Sequence, residues 1–389
     1  MITDQPKRRT EPLIRQWASS PATLDAALAA ITDLAPDTDR EGAFPKEAFQ
    51  LMTDAGLLAI TLPGQPLDQS RPHTAELLQL LKRVGAANLA VGRVYEGHIN
   101  ALLLAHLYGT PDQNQRWQAD ARRGALFSVW NTQADDGVRI HALGGGRYAL
   151  EGYKTFCSGA GWIDRPLVTG ELIGADRRGW QMCIVPTERV DVIEQDDRFW
   201  KPLGMRASAS FKMNFTGIEL DESDLLGQPG DYFRQPHFSG GAIRFAAVQL
   251  GGAEALLEAT RELLRSMGRT DDVFQKGRLA EMAYRIESGN QWLRAAGQRN
   301  DEWLRAGEDP AKIVAYANMT RTAIEEICLN VMQLAERSVG ARGLLRPLPF
   351  ERIHRDLTMY LRQPAPDATL TDIGGYVASS SVATNDLWS

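Results

Sequence analysis

Three stretches in the last third of the chain constrain its fold most: "IRFAAVQLGGAEALLEATRELLRSM", "QKGRLAEMAYRIESGNQWLRAAGQRNDEWLRAG" and "AKIVAYANMTRTAIEEICLNVMQLAERSVG". Each is amphipathic over many turns, with apolar residues returning at helical spacing. A long helix with one apolar stripe must bury it, and consecutive long helices do so by packing antiparallel. The shorter "PFERIHRDLTMYLR" adds a fourth helix before Pro364 and Pro366 obstruct any continuation. The expectation is a four-helix bundle over residues 236–362, followed by a C-terminal tail over 363–389.

The first third is helical in shorter pieces. Ser20-Pro21 makes a cap and first turn, and Leu24, Leu28, Ile31 and Leu34 follow at helical spacing. "FPKEAFQLMTDAGLL", "TAELLQLLKRVGA" and "GHINALLLAHLYG" continue the pattern. "TPDQNQRWQADARRG" opens with Thr110 as cap and Pro111 in the first turn. Near residue 125 the period changes to short runs of β-branched and aromatic residues separated by glycine and proline turns, from "GALFSVWN" to "ASFKMNFTGIEL". "LGGGRY" reads as a hairpin turn; no helix follows it, so it is not a phosphate loop. The fold class is therefore α+β and multidomain: a flexible tail over 1–22, a helical domain over 23–120, a β-sandwich or barrel over 121–235, then the bundle.

Composition excludes several functions. A net charge of −6 gives no basic footprint for nucleic acid. No run of ~18 apolar residues argues for a membrane span, and "MITDQPKRRT" does not read as a signal peptide. Cys157, Cys183 and Cys328 are far apart, which points to buried thiols in a reducing cytoplasm rather than to a zinc or other metal site.

Several words in this order resemble the acyl-CoA dehydrogenase family. "GAFPKEAFQLMTDAGLLAITLPG" is similar to that family's N-terminal helix pair, and "YALEGYKTFCSGAG" to the strand-turn that faces its flavin ring. "KPLGMRASASFKMNFTGIEL" is similar to its G-x-R-x-S segment, and "RSVGARGLLRPLPFERIHRD" to its Q-x-x-G-G-x-G…RD run. The resemblance spans about residues 40–362 and implies a homo-oligomer, dimer or tetramer, holding FAD between the β-domain and the bundle. It places Phe156 against one flavin face and Ser158 at the hydroxyl position near flavin N5, where a donor tunes hydride chemistry. Read from the residues alone, Phe156 is a core aromatic. The resemblance also places Trp130, Asn131 and Thr132 in the loop that offers backbone groups to the ring. Gly340 and Gly343 fall at the adenine end, where backbone must come close. Arg337 stands where the family has glutamine, and Arg265 lies one place from the family's arginine. These departures leave FMN, or an exchangeable reduced flavin, as the alternative cofactor.

The family's catalytic glutamate has two known places, and here they hold Pro364 and Ile243. A positioned general base is worth roughly 10²–10⁴ in rate, and neither side chain accepts a proton. The first expectation is dehydrogenation of an acyl thioester by a displaced base such as Asp367, with a protein electron acceptor. The alternative is a reduced-flavin monooxygenase supplied by a flavin reductase, which needs no such base. There His237 or Ser239 would assist oxygen chemistry, although His237 also reads as a surface-loop histidine. Arg244 would meet an anionic part of the substrate. A third reading is a binding or scaffold subunit without chemistry.

Overall fold

The computed structural model describes residues 21–174, 176–190, 194–362 and 365–389. Five helices open it: α1 (Pro21–Thr38), α2 (Lys46–Asp54), α3 (Thr74–Ala87), α4 (Leu89–Tyr108) and α5 (Pro111–Arg122). Their ends follow sequence chemistry. The Asn88 side chain accepts the Ala90 and Val91 N–H groups at the start of α4, and Thr110 and Gln113 form a reciprocal capping box on α5.

The middle of the chain forms two sheets. The strands are β1 (Phe127–Trp130), β2 (Arg139–Gly144), β3 (Arg147–Glu151), β4 (Tyr153–Cys157), β5 (Arg165–Ile173), β6 (Gly179–Ile184), β7 (Glu194–Asp196), β8 (Phe211–Asn214), β9 (Glu219–Asp221) and β10 (Leu225–Leu226). Seven strands make one sheet in the order β10-β6-β5-β2-β3-β9, with β1 parallel to β5; β4, β8 and β7 make the other. The β2–β3 hairpin turns through Gly144, Gly145 and Gly146, all at positive φ. Strand β2 was not anticipated, because "RIHALG" has only a short alternation and half-exposed residues.

Five helices and one short turn of helix complete the fold: α6 (His237–Gly240), α7 (Ala242–Ser266), α8 (Val273–Ala306), α9 (Pro310–Gly343), α10 (Phe350–Tyr360) and α11 (Pro366–Ser379). The last corrects an expectation. Residues 366–379 form a helix, with Pro366 in its first turn and Thr369 bonded to Arg321 of α9. Trp388 then packs on Tyr316 and Tyr376. A proline obstructs a preceding helix but is preorganised to begin a new one.

The bundle and the N-terminal helices share one core that also reaches into the β-domain. Helices α3 and α7 meet backbone to backbone. A Cβ on Gly85 would stand 2.3 Å from the Val248 carbonyl oxygen, and one on Gly251 would stand 2.0 Å from that of Lys82. Helix α4 holds β1 through His98, which is fully buried. Its Nδ1 accepts the Phe127 N–H at 3.0 Å, so Nε2 carries the hydrogen and donates to the Leu58 carbonyl at 2.8 Å. Burial drives the imidazole down to about 4.

Candidate active site

Two strand ends build the predicted ring-facing turn. At the end of β1, Trp130 is buried; its indole N–H donates to the Ser158 carbonyl at 3.1 Å and its ring packs on Phe215. Trp130 is thus the floor of the turn rather than part of its surface. Asn131 accepts from Thr169 Oγ1 at 2.7 Å and from Trp180 Nε1 at 3.1 Å, and Thr132 is exposed, its carbonyl accepting the Thr155 N–H.

This loop is fastened by a residue that sequence reading did not single out. Lys154 is fully buried, and its Nζ donates to the Asn131 carbonyl at 3.0 Å, to Gln133 Oε1 and to Thr169 Oγ1 at 3.1 Å. The ammonium also stands 4.8 Å over the Trp180 ring. Burial lowers it to about 8. The signal was a lysine inside a strand word, "YKTFC", with apolar or aromatic residues around it.

At the end of β4, Phe156 adopts φ +55°, a left-handed conformation that costs a non-glycine residue about 1–2 kcal/mol. Its ring is 43% exposed and stands edge-on to Phe199 and Trp200. It is therefore not a core aromatic. Beside it, Ser158 Oγ lies 2.9 Å from Ser210 Oγ, which lies 2.7 Å from Ser208 Oγ, and all three serines are buried. Three hydroxyls joined by two links leave one hydrogen over for a further acceptor. The buried Arg206 Nε has no hydrogen-bond partner among the described residues. The segment carrying Arg206 docks on α10: Met205 N–H donates to Asp356 at 2.6 Å, and a Cβ on Gly204 would stand 2.0 Å from the Arg355 carbonyl oxygen. Asp356 is raised to about 6 by burial, against the lowering effects of that N–H and of Arg352.

Facing this turn, α4 and α7 hold a charged cluster. Arg93 Nη1 donates to Glu96 Oε2 at 2.7 Å, Asn100 Nδ2 donates to Glu96 Oε1, and Arg244 Nε donates to Asn100 Oδ1 at 2.5 Å. Glu96 is buried. A Cβ on Gly97 would stand 3.2 Å from Ser128 Oγ and 3.8 Å from Arg93 Nη1, and Ser128 itself donates to the Ser158 carbonyl. The cluster therefore abuts the turn. Tyr232 feels the charges of Arg93 and Glu96, and its ring packs on Phe233 and Phe238, which are exposed. Phe233 in turn packs on Trp180, so an aromatic wall runs from the cluster to Asn131.

The remaining predicted residues divide. His237 lies near Arg244 and Arg234, and burial with those positive charges lowers it. Ser239 is tied to Gln235 instead. Ile243 points into the bundle, lining a cavity of about 10 Å³ with Trp303 and Tyr316, away from its neighbour Arg244. Asp367 is exposed on α11, and no hydrogen bond or ion pair among the described residues ties it to the cluster. Pro364 lies outside the described residues. Arg265, Arg337, Gly340 and Gly343 are not at the turn; they gather where α7 ends and α8 begins, an end joined by the Gln275–Ser338 hydrogen bond. Gly340 breaks α9 at φ +61°, ψ −173°, a conformation that demands glycine.

A second cavity beneath Ala207 and Asp356 is also about 10 Å³, so neither of the two could take a tricyclic ring. At the turn itself Phe156 is exposed. The turn's donors and its aromatic plane suit a flat heteroaromatic ring with hydrogen-bond acceptors along one edge.

Comparison with known proteins gives the same picture. A family model described as "Acyl-CoA dehydrogenase, N-terminal domain" matches residues 22–125, and one described as "Acyl-CoA dehydrogenase, C-terminal domain" matches residues 243–361. Dibenzothiophene monooxygenase of Mycolicibacterium goodii is 22% identical over 377 residues, covering 88% of this chain and 89% of that protein. The probable acyl-CoA dehydrogenase YngJ of Bacillus subtilis (strain 168) is 25% identical over 351 residues, covering 85% and 89%. The solved structure of TdsC from Paenibacillus sp. A11-2 with FMN and indole superposes with a TM-score of 0.82 at 20% identity, covering 95% of this chain and 100% of that one.

Proposed function

The chain belongs to the acyl-CoA dehydrogenase family, and from that membership we propose that it is a flavin-dependent monooxygenase working with reduced FMN. This reverses the order expected from sequence, where thioester dehydrogenation by an FAD enzyme came first. The observation that carries the reversal is the carboxylate inventory of the site. Ile243 occupies one glutamate position of the family and faces the bundle core, and Pro364 occupies the other. Two buried carboxylates stand near the turn: Glu96 has one oxygen engaged by Arg93 and the other by Asn100, and Asp356 is held beneath the Met205–Arg206 segment by the Met205 N–H. A thioester α-proton needs a base with a free lone pair aimed at it, and oxygen transfer does not. The resemblance to dibenzothiophene monooxygenase and to the FMN complex of TdsC supports the same reading.

Once bound, the reduced flavin supplies the two electrons that activate dioxygen. Phe156 would cover one face of the ring, and the hydrogen left over in the Ser158–Ser210–Ser208 chain would meet an acceptor on the ring edge. The 131–132 backbone, braced by Lys154, would position the opposite edge. Trp180, Phe233 and Phe238 would exclude water from the substrate side, and His237 is placed to give or take a proton there. A flavin reductase would furnish the reduced cofactor. The protein would act as a homo-oligomer, as the family resemblance implies.

The test is anaerobic. Acyl-CoA thioesters should leave the absorbance of the bound oxidised flavin unchanged, and air should rapidly reoxidise the bound reduced flavin. Bleaching by an acyl-CoA would overturn the proposal.

A further inference from the structure

The Arg93–Glu96–Asn100–Arg244 cluster is not neutral. Glu96 balances Arg93, with which it makes its ion pair. Arg244 reaches only the neutral amide oxygen of Asn100 and has no carboxylate partner among the described residues. Its guanidinium folds back over Gly241, where a Cβ would stand 2.6 Å from Nη2. A partly buried guanidinium without a counter-charge is an expensive arrangement unless something supplies one.

Two further observations point to a ligand in the same place. The Tyr360 hydroxyl is fully buried with no hydrogen-bond partner among the described residues, and so is the Nε of Arg93. The Tyr360 hydroxyl lies within electrostatic reach of Arg93 and Glu96. Buried donors are rarely left unmade, because each costs about 1–3 kcal/mol. Arg93 stands beside the ring-facing turn, since a Cβ on Gly97 would lie 3.8 Å from its Nη1 and 3.2 Å from Ser128 Oγ, and Arg244 is tied to it through Asn100 and Glu96.

We infer that this cluster is the receptor for an oxyanion on the substrate, so that the molecule oxygenated here is a small organic acid such as a carboxylate, sulfinate or sulfonate. The inference rests on the proposed monooxygenase reading for the word substrate, and it deepens that reading. Arg244 and Arg93 hold the anionic oxygens, Tyr360 donates to one of them, and Glu96 keeps Arg93 in place. The aromatic wall of Tyr232, Phe233 and Phe238 accommodates the apolar remainder, leaving the far end of the molecule toward Phe156. Such a substrate would differ in charge from dibenzothiophene and indole, which two of the relatives' names carry, and would share its charge with the methanesulfinate named for the similar structure of MsuC from Pseudomonas fluorescens.

The test is calorimetric titration of the full chain, with and without FMN, using ethanesulfonate and the uncharged ethyl methyl sulfone. Wild type should bind the sulfonate and not the sulfone. Arg244→Gln and Arg93→Gln should each weaken sulfonate binding about tenfold or more, as for loss of a hydrogen bond to a charged group. Arg269→Gln, on the surface beside Asp272, should leave it unchanged. Arg244→Lys keeps the charge and should retain most of the affinity, which preserves the test if the glutamine variant fails to fold. Equal binding of sulfone and sulfonate, no sulfonate binding at all, or binding indifferent to both arginines would overturn the inference. So would an Arg244→Gln protein that loses affinity for FMN but not for riboflavin, since the cluster would then serve the cofactor's phosphate. A protein that binds sulfonate but no flavin would sink the monooxygenase reading alone.

Discussion

His98 allows a quantitative prediction about acid stability. It sits where α4, the Leu58 turn and β1 converge, fully buried, accepting from the Phe127 N–H and donating to the Leu58 carbonyl. In the native state its imidazole takes a proton only at about 4, whereas in the unfolded chain it does so near 6.5. Between those values the unfolded state binds a proton that the folded state refuses, so stability rises with pH across the window. The contribution is complete above about 6.5 and is lost as the pH falls toward 4. Its full size is about 3 kcal/mol, and about 2 kcal/mol of it is gone by pH 5. His98→Asn keeps an acceptor for Phe127 and cannot titrate. Urea unfolding of both proteins at one concentration, followed by tryptophan fluorescence from pH 7.5 to 5, cancels every contribution they share. The stability gap between them should narrow by about 2 kcal/mol over that range. A gap that stays constant or widens would refute the sealed, neutral imidazole, and with it this account of how β1 is held.

Three other substitutions probe the architecture. Gly251→Ala drives a Cβ to 2.0 Å from the Lys82 carbonyl oxygen and should cost about 1–3 kcal/mol or more, read as a lowered thermal midpoint; an unchanged midpoint would mean that α3 and α7 do not pack this closely. Phe156→Gly relieves the left-handed strain, so stability should hold or rise by about 1 kcal/mol while flavin affinity falls. A parallel loss of both would show the ring to be structural. Lys154→Met removes three hydrogen bonds to the 131–133 loop and its neighbour and should weaken flavin binding several-fold, measured by fluorescence quenching. Undiminished affinity would mean the loop does not position the ring.

The order of helices and strands was legible because its signals are local. Proline at a first turn, the Thr110–Gln113 box and long amphipathic periods act within a few residues. Helix α11 was misread because Pro364 and Pro366 carry two messages, ending one helix and beginning another, and only packing on α9 decides between them. Read from the residues alone, Phe156 is core, and its φ of +55° and its exposure correct that; its proposed place against a flavin face came from the family resemblance. Lys154 and the Tyr360 hydroxyl were missed for a deeper reason. Their importance comes from what surrounds them in space, from Asn131 and Thr169 in one case and from Arg93 and Glu96 in the other. Arg244 was legible as a residue, but its lack of a counter-charge was not. The two empty glutamate positions were the most informative sequence feature, because the family resemblance says where a carboxylate would stand and the sequence shows Pro364 and Ile243 there.

The central claim is that this scaffold cups a flavin without a base for α-proton removal. The most direct measurement is hydrogen exchange at C2 of butyryl-CoA, incubated in D₂O with the flavin-loaded protein and followed by NMR. No deuterium should enter C2 beyond the protein-free control; enzyme-dependent exchange would reveal a working base and contradict the account.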